Sequence, residues 1–376
     1  MKKTLIIHVL LLPLKFLVSL ISLVTWYPFF KLNTDLFKFY EDYPNDQLSI
    51  SEFKNQIEEI IADGDGCKYI GIAGHFIPDE PFIYENIYRF IYKGTLIRYP
   101  IEYMKEDSNN FSGDMFIGLL SIVQARYEKG LLTEKEKKKL KPVFDSILGT
   151  CKVSHPFKHE KDVNRGYILP WFTTMPGFAQ IIVLAKLSYL IYGDKKYNRL
   201  YKTLMVLTWP IAFSYGFCLF LGKVEACNWY SEHTMAWAYF LGSKLGIKRF
   251  KRLLRKQAAR HSYNPEILGL NALIHSPSSN DLSFIKRCLE SYFDRQKKIL
   301  QAKNTFREFD LKHFEWVTRS KFVLPPCYRK SSKYLWEKDP LKPKTGSRRW
   351  VADYVSLNNI YKELTGAKNG SRDTMG

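Results

Sequence analysis

The chain has 376 residues, of which 46% are hydrophobic and 15% aromatic, and 57 lysines and arginines against 37 acids give it a net charge of +20. Length and apolar content suit one large helical domain with an anchor, and the charge favours an anionic partner such as a membrane face or an acidic polysaccharide. Nucleic acid is set aside, because the basic residues are dispersed and neither a zinc-finger nor an RNA-binding-sheet signature occurs. The six cysteines form no Cys-x-x-Cys, which argues against a structural zinc site.

Lys2 and Lys3 precede an apolar run from Thr4 to Phe30, broken only by His8 and Lys15 and ending in Trp26, Tyr27, Phe29 and Phe30. A spanning helix needs roughly 20 mostly apolar residues, so residues 1–31 read as an uncleaved N-terminal membrane anchor that contacts lipid through 4–30. The flanking lysines place the body outside the cytoplasm, in the periplasm or beyond. Residues 32–50 read as a tether, 51–366 as the folded domain and 367–376 as a polar, disordered tail.

Within the domain, Ser51 opens an amphipathic helix near 51–62, with Phe53, Ile57, Ile60 and Ile61 on one stripe, stopped by Gly64-Asp65-Gly66. The apolar segment Tyr69–Gly74 reads as a short strand, and a helix follows near 81–93. After Pro100 the periodicity is helical throughout, near 114–129, 133–148, 176–192, 195–209, 210–221, 231–245, 247–261, 264–275, 281–300 and 352–365. Lys129-Gly130, Tyr192-Gly193-Asp194, Leu245-Gly246 and Ser276–Asn280 mark the turns between them. Residues 301–350, with many aromatics and Pro325-Pro326, read as an extended excursion across a cleft.

The densest group of reactive side chains is Glu225 to Trp237, which holds Asn228, Trp229, Tyr230, Glu232 and His233. Ser231 is placed to cap the helix that follows, which sets Glu232 and His233 in its first turn. Ser112-Gly113-Asp114 and Asn264-Pro265-Glu266 repeat this grammar, a cap residue with an acid close behind it. A first-turn acid also gains about 0.3–1 kcal/mol from the helix dipole, so the pattern has a purely structural explanation beside the functional one. Asp114 stands out because Arg98-Tyr99-Pro100 and a polar loop approach it, and Arg98 could orient it or hold a substrate carboxylate. A second polar cluster, His159 to Tyr167, offers Arg165 and Tyr167 as cleft lining with Trp171 as a sugar platform. Gly-x-Ser-x-Gly, His-Glu-x-x-His and a phosphate loop are all absent.

Arg98-Tyr99-Pro100 with Ser112-Gly113-Asp114-Met115, Asn228-Trp229-Tyr230 with His233, and the ending with Trp336, Asp339-Pro340 and Asp353-Tyr354 together resemble α/α-toroid proteins, the six-hairpin glycosidases and the helical domains of polysaccharide lyases. The resemblance implies an all-α toroid of about six helical hairpins, with active-site residues around a funnel at one end of its inner helices. A hydrolase of this kind would pair Asp114 with Glu232 as acid and base. A lyase would use Asn228 to neutralise a uronate carboxylate, His233 or Tyr230 to remove the C5 proton, and Arg165 to stabilise developing charge. Arg98, Tyr99, Tyr167, Trp171 and Trp229 would bind substrate. No metal or cofactor is expected. The alternative reading is a non-enzymatic helical scaffold held at an anionic membrane in an assembly of like or unlike subunits.

Overall fold

The computed structural model describes residues 50–55, 57–62, 64–103, 111, 113, 115–150, 175–208, 229–260, 264–290 and 349–366. The anchor expected over 1–31, the tether up to residue 49, the helix at 210–221, the excursion up to residue 348 and the tail at 367–376 lie outside the described residues. Helix accounts for most of what is described, with one two-stranded hairpin, so the all-α class holds. Among the described residues no helix is long and apolar enough to cross a membrane.

Two kinds of helix alternate along the chain. After the short helices Ile50–Asn55 (α1) and Ile57–Ile61 (α2), Gly66–Gly74 (α3) is buried at every position. Phe116–Glu128 (α5) is buried from Phe116 through Arg126, Met175–Tyr192 (α7) from 177 to 185, and Trp229–Lys244 (α9) from 233 to 242. Pro265–His275 (α11) and Arg349–Thr365 (α13) are also largely buried where their side chains are described. Helices apolar on every side belong inside a helical protein. Between them come Pro81–Arg89 (α4), Glu134–Thr150 (α6), Lys195–Leu207 (α8), Lys248–Arg260 (α10) and Ser279–Glu290 (α12), each with one apolar stripe and one polar face. Local signals set their limits. Asp194 caps α8 by accepting from the Lys196 amide at 2.8 Å, and Thr133 and Glu136 form a reciprocal capping box at the start of α6. Gly193 and Gly246 end α7 and α9 at positive φ, where a Cβ would be strained, as the turn signals predict.

The buried helices pack on one another in the order α3–α5–α7–α9–α11–α13, and α13 also packs on α3. Residue pairs fix their direction. Gly71 and Cys67 of α3 lie against Gly118 of α5, and Gln124 and Glu128 of α5 reach Leu241 and Lys244 of α9. His233 and Trp237 of α9 meet Glu266 of α11, while Glu266 and Gly269 meet Ser356 and Ile360 of α13. The partner number rises in step between α5 and α9 and between α11 and α13, so each of these pairs runs parallel. Cys67 against Gly118 and His233 against Glu266 bring the starts of α3 and α5, and of α9 and α11, together, so these starts share one end. The chain leaves this layer through short connections (75–80, 129–133, 193–194, 245–247, 276–278), and the stretches by which it re-enters lie mostly outside the described residues.

Three local expectations are corrected. Tyr69–Gly74 is helix and not strand, because a short apolar run buried on all sides has no periodicity to tell the two apart. The helix expected to reach residue 93 stops at Arg89, and a hairpin follows in which Ile91 pairs with Leu96 and Tyr92 with Thr95. Lys93 and Gly94 both have positive φ at its turn, the backbone that a two-residue hairpin loop demands. Finally, α9 begins at Trp229, so Ser231 lies within the helix and is not its cap.

Candidate functional site

The shared end gathers buried ionisable groups from helix starts that are far apart in sequence. At α11, Asn264 Oδ1 accepts from the amides of Glu266 and Ile267 at 3.0 and 3.2 Å, fixing the first turn. Glu266 then lies among polar groups of neighbouring helices. Its Oε2 is 2.9 Å from His233 Nε2, its Oε1 accepts from Trp237 Nε1 at 3.0 Å, and Ser356 Oγ lies 3.5 Å from the same oxygen. His233 and Glu266 side chains are both 0% exposed. An ionised carboxylate only accepts, so opposite it Nε2 carries the proton and donates. The dipole of α11 favours negative charge at Glu266.

A second group surrounds the start of α3. The hairpin after α4 returns the chain so that Arg98 Nη2 stands 3.8 Å from Asp65 Oδ1, with Arg98 stacked toward the Tyr99 ring. Asp65, Lys68, Arg98 and Tyr99 are all buried. Gly64 makes the approach possible, because a Cβ there would lie 2.5 Å from Arg98 Nε and 2.7 Å from the Tyr99 hydroxyl. Among the described residues no three of His, Cys, Asp and Glu converge as metal ligands.

Below these groups the interior is closed by aromatic rings. His75, at the end of α3, stands edge-on to Trp237 and Phe240, with ring centroids 5.7 and 5.3 Å away. Its Nδ1 donates to the Ser121 carbonyl at 3.0 Å. Burial lowers the His75 pKa to about 3, with Lys244 and Lys129 adding to the effect and the Ser121 carbonyl opposing it. The unfolded chain binds this proton below about pH 6.5, so His75 contributes stability above that pH and loses it as pH falls toward 3. Moving from pH 7 to pH 5 is expected to cost about 2 kcal/mol from this group alone. Urea unfolding at both pH values checks it: His75→Gln should shrink the difference, and an unchanged difference would assign the acid sensitivity elsewhere.

Of the residues singled out by sequence, His233 joins the Glu266 group, and Arg98 and Tyr99 join the Asp65 group at the same end. Trp229, Tyr230 and Glu232 lie on the first turn of α9 by backbone, and their side chains are outside the description. Asp114, Arg165, Tyr167, Trp171 and Asn228 lie outside the described residues. Sequence reasoning left Glu266, Asp65 and Lys68 out of the site. Glu266 was within reach, since Asn264-Pro265-Glu266 shares the helix-start grammar. Asp65 was hidden in a segment that reads as a turn, and Lys68 falls between that turn and the apolar run Tyr69–Gly74. Comparison with protein-family models, curated proteins and solved structures gives no match.

Proposed function

We propose that the chain is a carbohydrate-active enzyme on an α/α toroid, anchored to a membrane by residues 4–30 and cleaving an anionic polysaccharide. The observation that carries the reading is that buried ionisable groups stand at helix starts of the inner layer, Asp65, Lys68 and Arg98 at the start of α3 and His233 with Glu266 near the starts of α9 and α11. The cyclic order of contacts from α3 to α13 and back to α3, with α4, α6, α8, α10 and α12 between, supports a ring of helical hairpins.

Lyase chemistry is favoured over hydrolysis. The net charge of +20 suits a uronate polymer. The carboxylate of Glu266 holds His233 with Nε2 protonated, which leaves Nδ1 as the basic atom and stabilises the imidazolium that forms on proton removal. In this scheme His233 or Tyr230 takes the C5 proton, Asn228 neutralises the uronate carboxylate and Arg165 stabilises the enolate-like charge. Arg98, Tyr99, Tyr167, Trp171 and Trp229 bind the sugar. In the hydrolytic version, Asp114 and Glu232 are the acid and the base. The complete burial of the His233–Glu266 pair favours a second reading, a non-enzymatic scaffold in which the pair braces α9 against α11.

Incubation with a panel of acidic polysaccharides separates the two. The enzyme produces new unsaturated or reducing ends, and His233→Gln lowers the rate by about 10²–10⁴-fold while the protein still unfolds cooperatively. A scaffold yields no new ends from any polymer in the panel.

A further inference from the structure

The outer helix α10 reads Lys248, Arg249, Phe250, Lys251, Arg252, Leu253, Leu254, Arg255, Lys256, Gln257, Ala258, Ala259, Arg260 and contains no acid. Its buried stripe is Phe250, Leu253, Leu254, Gln257 and Ala258, which packs on α9 and α11. The helix thus spends its apolar face on the core, and Lys248, Lys251, Arg252, Arg255 and Lys256 stand exposed on the other. Arg249 turns aside to the end of α8, donating to the Met205 carbonyl at 2.9 Å and to Thr208 Oγ1 at 3.0 Å. Those two bonds bring the end of α8 to the start of α10, and Arg199, Lys202 and Val206 are exposed on α8. Val206 is 72% exposed and, with Ile101, is one of two exposed large hydrophobic side chains among the described residues.

Local chemistry reports the positive field independently. Arg255 Nη2 lies 2.6 Å from His275 Nδ1, and His275 Nε2 lies 3.0 Å from the Lys251 carbonyl. A guanidinium donates to a ring nitrogen only when that nitrogen is unprotonated, so His275 is neutral in this geometry. Partial burial, then the nearby charges of Arg255 and Lys251, hold its pKa below the usual value against the opposing Lys251 carbonyl.

We propose that the exposed cationic face of α10, continued by Arg199, Lys202 and Val206 of α8, docks the folded body on the anionic leaflet of a lipid membrane. The face has the charge for it and a small apolar contact in Val206. Phe250, the one aromatic residue on α10, is buried, so the helix lacks the exposed rings on which sugars or bases stack. An array of cations spread along an outer helix matches a field of headgroups, whose attraction needs no register and is screened by salt. The run Thr4–Phe30 supplies the other sequence feature that suits a bilayer. This proposal is independent of any catalytic role.

The test uses the full chain and two vesicle types, phosphatidylcholine alone and phosphatidylcholine with about 30% phosphatidylglycerol, floated at about 50 mM and about 500 mM salt. Lys251→Glu/Arg252→Glu changes two exposed residues and leaves Arg249 and Arg255 in place. Residues 4–30 supply binding common to both vesicle types, and on top of it wild type should prefer the anionic vesicles over the neutral ones by at least about tenfold at low salt, a preference lost at high salt. The double variant, with an unchanged unfolding midpoint, should lose most of it, and Lys251→Gln/Arg252→Gln should fall between. A wild type without lipid preference, or a double variant that keeps the full preference, overturns the proposal. If instead duplex RNA binding disappears with the double substitution while vesicle binding does not change, the face belongs to a nucleic acid.

Discussion

Replacing Gly118 by valine is expected to destabilise the protein by about 3 kcal/mol or more, the upper range for overpacking a close-packed interior. Gly118 and Gly71 sit where α5 crosses α3 with backbone against backbone. A Cβ on Gly118 would run into the carbonyl of Cys67 and come within 2.7 Å of the Lys68 Cα, and one on Gly71 would strike the carbonyl of Gly118. Backbone atoms in two helices buried on all sides cannot yield separately, so the helices must part and lose contact along their length. Gly74→Ala provides the comparison. Its Cβ meets the Cγ2 methyl of Ile83, the end of a side chain, and the cost should be smaller. Urea unfolding midpoints for the three proteins decide the matter. Equal midpoints for wild type and Gly118→Val would mean that the crossing is looser than described. The consequence reaches function as well, because this crossing sets Lys68 and Asp65 against the start of α5.

Glu266→Ala is the second large effect. The substitution removes the acceptor for His233 Nε2 and Trp237 Nε1 in a site without solvent, and each buried donor left unsatisfied costs about 1–3 kcal/mol. Glu266→Gln separates structure from chemistry. It keeps the shape and one oxygen acceptor but no negative charge, so it should cost less stability than alanine while abolishing the orientation and polarisation of His233. Glycan cleavage should then fall with the glutamine variant as far as with His233→Gln. If both substitutions leave cleavage at the wild-type rate, His233 and Glu266 form a structural brace and another group removes the proton.

Much of the architecture was legible because helix limits are written locally. Asp194, Thr133 with Glu136, Asn264, Gly193 and Gly246 punctuate the chain where helices begin and end, and amphipathic helices such as α10 show their period plainly. The buried layer was harder to read. In α3 every side chain is covered, so no polar face reveals a period, and Tyr69–Gly74 passes for a strand. The Arg89–Leu96 region failed for another reason: the hairpin depends on positive φ at Lys93, which residue type alone does not announce. The site was legible only as single helix starts. Nothing local says that His233 faces Glu266, 33 positions away, because the packing of α9 on α11 made that pair, or that Arg98 returns to Asp65, because the hairpin after α4 made that one.

A crystal structure of the protein with an acidic oligosaccharide bound would test the central claim most directly. Density for the sugar at the end where α3, α5, α9, α11 and α13 begin, with its carboxylates toward Arg98 or the first turn of α9, is the predicted result. Sugar bound instead at the opposite end, against the short connections 129–133, 193–194 and 245–247, would contradict it.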